Sequence, residues 1–338
     1  MRVGLISTLS TAVRRDRSGS VEGLVWLMSR ELSHLGHEVT VFACAGSEPE
    51  GELVATLPGP YGRDGAPDDW HVCEWVNLCH AVSESQRFDI LHSHSYLFGL
   101  PLHPLARAPM LHTLHVLPHD TEARLCLMYP QAAITAVSRY QWADIPQARP
   151  VAVIPHGVDG EQFPFRDEPD DYLLFLGRFT WGKGPLRAIA AAREAGIRLV
   201  LAGPRSDYFR ERVEPMVDGR CVEYAGSVTG TERAKLLGGA RALLYPIQEP
   251  EPFGLVPVEA MMCGTPVVAT RLGATPEIVE EGVTGYCADA EAEFAQQVAV
   301  ACMLDRRRVR ERAEACFSGE RMARDYSLLY ERIVSGDV

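Results

Sequence analysis

The chain has 338 residues, 46% of them hydrophobic and 23% charged, a soluble globular composition long enough for two domains of roughly 150 residues each. A net charge of −12 and a pI near 5.4 disfavour a nucleic-acid partner. No apolar run approaches the roughly 18 residues of a membrane span, and "MRVGLISTLS" is too short for a signal-peptide core, so no stable membrane insertion is expected. Nine cysteines, odd in number and without a C-x-x-C pair, point to a reduced, cytoplasmic protein without disulfides.

In chain order, "RVGLIS" reads as a short apolar strand. A loop leads into "VEGLVWLMSRELSHLG", where Leu24, Val25, Met28, Leu32 and Leu35 recur at helical spacing before Gly36 stops the helix. "HEVTVFACA" is the next strand, and strand, helix, strand makes a βαβ unit in a parallel sheet. "FDILHSHS", "MLHTLHV", "AAITAVS" and "PVAVIPHG" continue the strands. After the Pro-rich, acidic "VDGEQFPFRDEPDD" the pattern restarts. "YLLFLGRF", "IRLVLAGP", "VEYAGSV", "RALLYPI" and "TPVVAT" are strands, while "GPLRAIAAAREAG", "TERAKLLGGA" and "VEAMMCG" are helices. The restart predicts two similar domains with a break near residues 158 to 170, and "GERMARDYSLLYERIV" predicts a closing helix.

In doubly wound sheets, loops at the carboxyl ends of strands form the ligand crevice. "QEPEPFG" is such a loop, which places Glu251 in the crevice and starts a helix near Gly254, with Pro257 tolerated in its first turn. The N–H groups of Phe253, Gly254 and Leu255 then face the ligand, and Glu259 follows about one turn later. Two carboxylates beside a helix start suit a ligand carrying hydroxyls and phosphate, as a sugar nucleotide does. The bland alternative makes Glu251 a solvated loop acid and Glu259 a surface helix acid. Phosphate also needs cations, and "LGRFTWGKGP" offers Arg178 and Lys183 among three glycines. Lys183 is one of only two lysines in the chain, the other being Lys235.

These residues carry a resemblance. "EPFGLVPVEAMMCGTPVVAT" resembles the E-x7-E motif of retaining family 4 glycosyltransferases (group 1), and "GRFTWGKG" is similar to their diphosphate loop. "VIPHGVDGEQF" resembles their interdomain segment, with "GHEVTVFA" and "FDILHSHS" matching the amino-terminal domain. The resemblance implies an α/β GT-B fold of two Rossmann-like, doubly wound parallel-sheet domains facing across a cleft. Residues 1–160 would form the acceptor side, 161–317 the donor side, and 318–338 a helix returning to the amino-terminal domain.

It further implies that Arg178 and Lys183 hold the donor diphosphate, Glu251 binds sugar hydroxyls and Glu259 the ribose. Phe253, Gly254 and Leu255 would contact sugar and phosphate, Val228 would hold the base through its backbone, and His115 would lie near the reacting sugar. The implied reaction is a metal-independent, front-face hexosyl transfer with retention. The donor is a UDP-sugar first and GDP-mannose next; the acceptor is a small molecule or an oligosaccharide. No cofactor is implied, since the nucleotide sugar is a co-substrate, and no metal ligands are assigned.

Three departures accompany the resemblance. The family's paired glycines become "SGSVEG", so Gly19 keeps one close approach and Ser20 replaces the other. His156 stands where the family has Asn, and Glu22 reads either as an acceptor-facing group or as a first-turn helix acid. Histidines 92, 94, 112, 115 and 119 invite a metal reading. Polar substrate contacts at loop ends are the simpler one. Trp26, Trp75 and Trp142 read as packing residues. The rival functions are a sugar-nucleotide epimerase on the same fold and a non-catalytic sugar-nucleotide-binding protein.

Overall fold

The computed structural model describes residues 1–16, 20–145 and 148–338; Gly19 therefore lies outside the described residues. The chain divides into two compact units, residues 1–157 with 319–338, and residues 158–318.

The first unit is a seven-stranded sheet, all of whose pairings are parallel. Its strands are β1 (Arg2–Ile6), β2 (Glu38–Cys44), β3 (Glu52–Leu57), β4 (Ile90–Ser93), β5 (Met110–Thr113), β6 (Ala133–Ala136) and β7 (Ala152–Val153), in the order β3-β2-β1-β4-β5-β6-β7. Helices α1 (Val21–His34), α2 (Trp70–Ser83) and α3 (Asp120–Met128) are the crossovers. The order reverses between β1 and β4, the position at which doubly wound sheets bind their ligands.

The second unit has six parallel strands: β8 (Leu173–Leu176), β9 (Leu199–Ala202), β10 (Val222–Gly226), β11 (Ala242–Tyr245), β12 (Val267–Thr270) and β13 (Gly285–Ala288). They run β10-β9-β8-β11-β12-β13, with the reversal between β8 and β11. Helices α4 (Pro185–Ala195), α5 (Gly230–Gly239), α6 (Leu255–Met262), α7 (Thr275–Ile278), α8 (Glu291–Ala301) and α9 (Arg306–Phe317) flank it. Leu173, Phe175, Leu199, Leu201, Ala242, Leu244 and Val268 form the core under Ala188, Ile189 and Val298. These strands are apolar almost throughout because both faces of a parallel sheet are covered.

Helix α10 (Gly319–Ser335) is part of the first unit. Met322, Ala323, Tyr326, Leu329 and Tyr330 make one apolar stripe at helical spacing and share a core with Leu24, Met28 and Leu32 of α1. No described helix is long and apolar enough to cross a membrane. Of the three tryptophans read as packing residues, Trp26 and Trp142 are buried, but Trp75 is 37% exposed on the outer side of α2.

Candidate active site

The loops after β8 and β11 meet because their strands are neighbours at the reversal of strand order. The first loop ends in a short turn, Trp181–Lys183, followed by Gly184 and Pro185, the first residue of α4. Gly184 has φ +71°, and a Cβ there would lie 1.9 Å from the Pro246 carbonyl oxygen, so only glycine allows this approach of the two backbones. Gln248 clasps the same turn, donating its N–H to the Gly182 carbonyl at 2.7 Å and its side-chain amide to the Trp181 carbonyl at 2.7 Å.

This clasp brings Lys183 and Glu251 together. The Lys183 ammonium donates to the Glu251 carboxylate, and the Tyr245 hydroxyl donates to the other oxygen of the same carboxylate. Lys183 Nζ also stands 5.7 Å from the centre of the Tyr245 ring, within cation–π range. Burial, then the adjacent Glu251 charge, pushes the Tyr245 hydroxyl well above its ordinary pKa, so it stays a donor. Glu251 is fixed from its backbone too, its carbonyl accepting the Ala274 N–H at 3.1 Å.

Gly254, in extended conformation, is the N-cap of α6, and Leu255 is that helix's first residue, while Phe253 is buried just before it. Glu259 is not a surface helix acid. It is 1% exposed, and Arg233 of α5 donates to it from both Nε and Nη2. Burial raises the Glu259 carboxyl pKa and the Arg233 guanidinium pulls against that rise. Arg178 is exposed on the loop after β8, and Val228 is buried between β10 and α5. The second unit thus gathers Lys183, Glu251 and Tyr245 in one cluster and keeps Glu259 in a separate pair with Arg233.

In the first unit, Glu22 closes the loop after β1. Its carboxylate accepts the Ser10 and Thr11 N–H groups at 2.9 and 3.2 Å, the Thr8 hydroxyl at 3.0 Å and the Ser10 hydroxyl. Ser20 is the N-cap of α1, its hydroxyl accepting the Gly23 N–H at 3.1 Å. The serine that replaces a glycine therefore has a helix-capping role.

The structure does not gather the histidines as a set of metal ligands. Among the described residues no group of three or more His, Cys, Asp or Glu could hold a metal ion. His92 is fully buried between the Tyr330 hydroxyl and the Thr113 hydroxyl, both at 2.7 Å. His94 Nδ1 lies 2.9 Å from His115 Nε2, and His115 Nδ1 lies 3.4 Å from His156 Nε2. His119 is exposed and apart, at the start of α3.

Tyr245 and Arg233 escaped the sequence reading, and so did the packing of His94 and His156, both singled out there, against His115. A tyrosine closing the apolar strand "RALLY", just before a proline, is a usable signal for the first. The others carry no such signal, because helix arginines and strand-end histidines are common surface residues.

Residues 21–162 match the profile described as Glycosyltransferase Family 4, and residues 161–315 that described as Glycosyl transferases group 1. The chain is 26% identical to a D-inositol 3-phosphate glycosyltransferase of Corynebacterium glutamicum (strain R), over 90% of this chain and 88% of the relative. It is 28% identical to the protein of the same name from Pseudarthrobacter chlorophenolicus, over 85% and 83%. Among solved structures, AviGT4, a glycosyltransferase involved in avilamycin A biosynthesis, matches at TM-score 0.75 and 26% identity, covering 99% of this chain and 98% of that one. Anabaena HepE, solved with UDP, shares the fold at TM-score 0.74 and 16% identity, covering 98% and 100%.

Proposed function

Because the chain belongs to the group 1, family 4 glycosyltransferases and has their GT-B fold, we propose that it moves a hexosyl group from a UDP-sugar to a small hydroxylated acceptor, with retention and without a metal. Lys183 and Arg178 stabilise the negative charge that grows on the departing diphosphate, a contribution made mainly in the transition state. Glu251 accepts hydrogen bonds from sugar hydroxyls, and Glu259 from the ribose. The N–H groups of Phe253, Gly254 and Leu255 meet sugar and phosphate at the start of α6. Val228 holds the base through its backbone, His115 stands near the reacting sugar, and the leaving phosphate takes the acceptor proton, so no protein nucleophile is used. The enzyme works in the cytoplasm on this reading.

One observation carries the proposal: the strand reversal places a lysine, a carboxylate and a tyrosine hydroxyl in one hydrogen-bonded cluster beside the same loop that opens α6. UDP is favoured over GDP because HepE, of the same fold, was solved with UDP. The relatives' name makes D-inositol 3-phosphate the first acceptor to try.

The test is a thermal-shift screen of UDP-, GDP-, ADP- and dTDP-sugars, followed by UDP release in EDTA and NMR assignment of the product anomer. The proposal expects stabilisation by a UDP-sugar, undiminished release in EDTA and a retained anomer. A changed sugar before release would identify an epimerase. Binding without release under any acceptor would identify a binding protein.

A further inference from the structure

The backbone of Glu251 is pinned. Gly273, at φ +64°, passes so close that a Cβ there would lie 2.6 Å from the Glu251 nitrogen and 2.7 Å from its carbonyl oxygen, and the Ala274 N–H donates to that carbonyl. The side chain is held separately, by Lys183 on one carboxylate oxygen and by the Tyr245 hydroxyl on the other. Among the described residues the carboxylate has no third donor. An ionised carboxylate has lone pairs beyond these two bonds, so acceptor capacity remains for a ligand hydroxyl.

The two donors differ in how firmly they are carried. Tyr245 is the last residue of β11, paired there with Ala269 of β12, and it is buried. Its hydroxyl lies against the start of α6, where a Cβ on Gly254 would come within 3.4 Å of it. Lys183 sits on the turn before α4 and reaches the carboxylate on a flexible four-carbon stem. The lysine is therefore the donor that can swing toward a phosphate, and the tyrosine is not. When a diphosphate draws the ammonium, the carboxylate loses countercharge beside a second anion. A carboxylate free to turn would follow the lysine and compete with the phosphate, or turn away from the sugar. The bond from Tyr245 resists both movements, and burial keeps that hydroxyl protonated.

We infer that Tyr245 is a positioning residue: its hydroxyl holds the Glu251 carboxylate in place while the Lys183 ammonium turns from that carboxylate to a donor diphosphate. The inference rests on the diphosphate role proposed for Lys183, and adds that the ease of releasing the lysine depends on the tyrosine. With Tyr245 the carboxylate keeps a charge-assisted hydrogen bond after the lysine turns. Without it, every shift of the lysine toward phosphate strips the carboxylate of its one remaining side-chain donor.

The test is a double-mutant cycle of wild type, Tyr245→Phe, Glu251→Gln and the combination, each titrated calorimetrically with UDP and with inorganic pyrophosphate. Phenylalanine keeps the ring, whose centre lies 5.7 Å from Lys183 Nζ, and removes only the hydroxyl. Tyr245→Phe is expected to weaken both ligands by about three- to tenfold, less than a fully buried charged hydrogen bond because the Lys183 and Glu251 side chains are 21% and 23% exposed. In Glu251→Gln, where no ion pair has to open, the same change is expected to alter both affinities by less than about twofold. A role in packing alone would lower the urea midpoint in both backgrounds and produce no such coupling. Turnover of the UDP-sugar reads the positioning itself: it is expected to fall about tenfold in Tyr245→Phe and to fall little further when that change is added to Glu251→Gln. Equal losses in the two backgrounds, or unchanged affinity or turnover in Tyr245→Phe, overturn the inference. A wild type that binds neither ligand overturns it together with the diphosphate role of Lys183. Coupled affinities in a protein that transfers no sugar keep the Tyr245 assignment and count against the proposed function alone.

Discussion

Lys183 and Glu251, 68 positions apart, form an ion pair whose carboxylate is shared with the Tyr245 hydroxyl. A diphosphate would compete with Glu251 for the lysine, so the two residues respond differently to substitution. Lys183→Met is expected to lower kcat by roughly a hundred- to a thousandfold, as loss of one transition-state donor does elsewhere. Glu251→Gln keeps an acceptor for Tyr245 but no longer holds the ammonium. It is expected to bind UDP at least as tightly as wild type while turning over more slowly. Calorimetry of UDP binding beside steady-state kinetics resolves the split, and weaker UDP binding in Glu251→Gln would mean that the carboxylate organises the lysine instead.

The Arg233–Glu259 pair is shielded from water, with side chains 16% and 1% exposed. Removing one partner leaves the other charge buried and uncompensated, a defect that typically costs about 3–5 kcal/mol. Arg233→Met should therefore destabilise the protein strongly, while Arg233→Met combined with Glu259→Gln should recover much of the loss. Urea unfolding midpoints read the stability. Free UDP binding reads the proposed ribose contact, which Glu259→Gln should weaken whether or not Arg233 is present.

Arg306 opens α9 and is buried without a carboxylate. It donates to the carbonyls of Arg166, Ala240 and Gly238 and to the Thr265 hydroxyl at 2.7 to 2.9 Å. Burial brings its pKa down to about 10. Lysine keeps the charge but lacks the planar fork, so Arg306→Lys should strand at least one acceptor and cost roughly 1–3 kcal/mol. A urea midpoint within error of wild type would contradict this.

The strands β8 and β11 and the loops behind them were legible because apolar runs end there in Gly, Pro and charge. Helix α2 was not. Its core side mixes Glu74 and Asn77 with Cys73, Leu78, Ala81 and Val82 while Val72, Trp75 and Val76 lie exposed, so the apolar periodicity is blurred. Asn77 is buried because its amide donates to the Ser7 and Phe42 carbonyls at the ends of β1 and β2. Strand β3 sits at a sheet edge with most residues partly exposed, which weakens its alternation. In "RRRVRER" nothing marks Arg306 as the buried arginine, since its acceptors come from three distant segments. Glu259 was legible as a motif position but not as a buried one, because its neutralising partner lies on another helix.

Glu74 gives a pH dependence of defined sign. Burial, opposed by the Ser95 hydroxyl and the Leu9 N–H, raises its carboxyl from 4.5 to about 7. Below pH 4.5 the group is protonated in both folded and unfolded chains and imposes no penalty. Between pH 4.5 and about 7 the folded chain binds the extra proton, so its contribution is progressively lost as pH rises, reaching on the order of 3 kcal/mol. Glu74→Gln keeps an oxygen for the Leu9 N–H and cannot ionise. The stability difference between variant and wild type should therefore grow in favour of the variant across that window and level off above it. His112 and His115, lowered to about 3 and about 4, destabilise both proteins as pH falls below 6.5 and cancel in the difference. Paired urea titrations from pH 5 to 8 measure it, and a difference that stays flat would place the Glu74 carboxyl in its ordinary range.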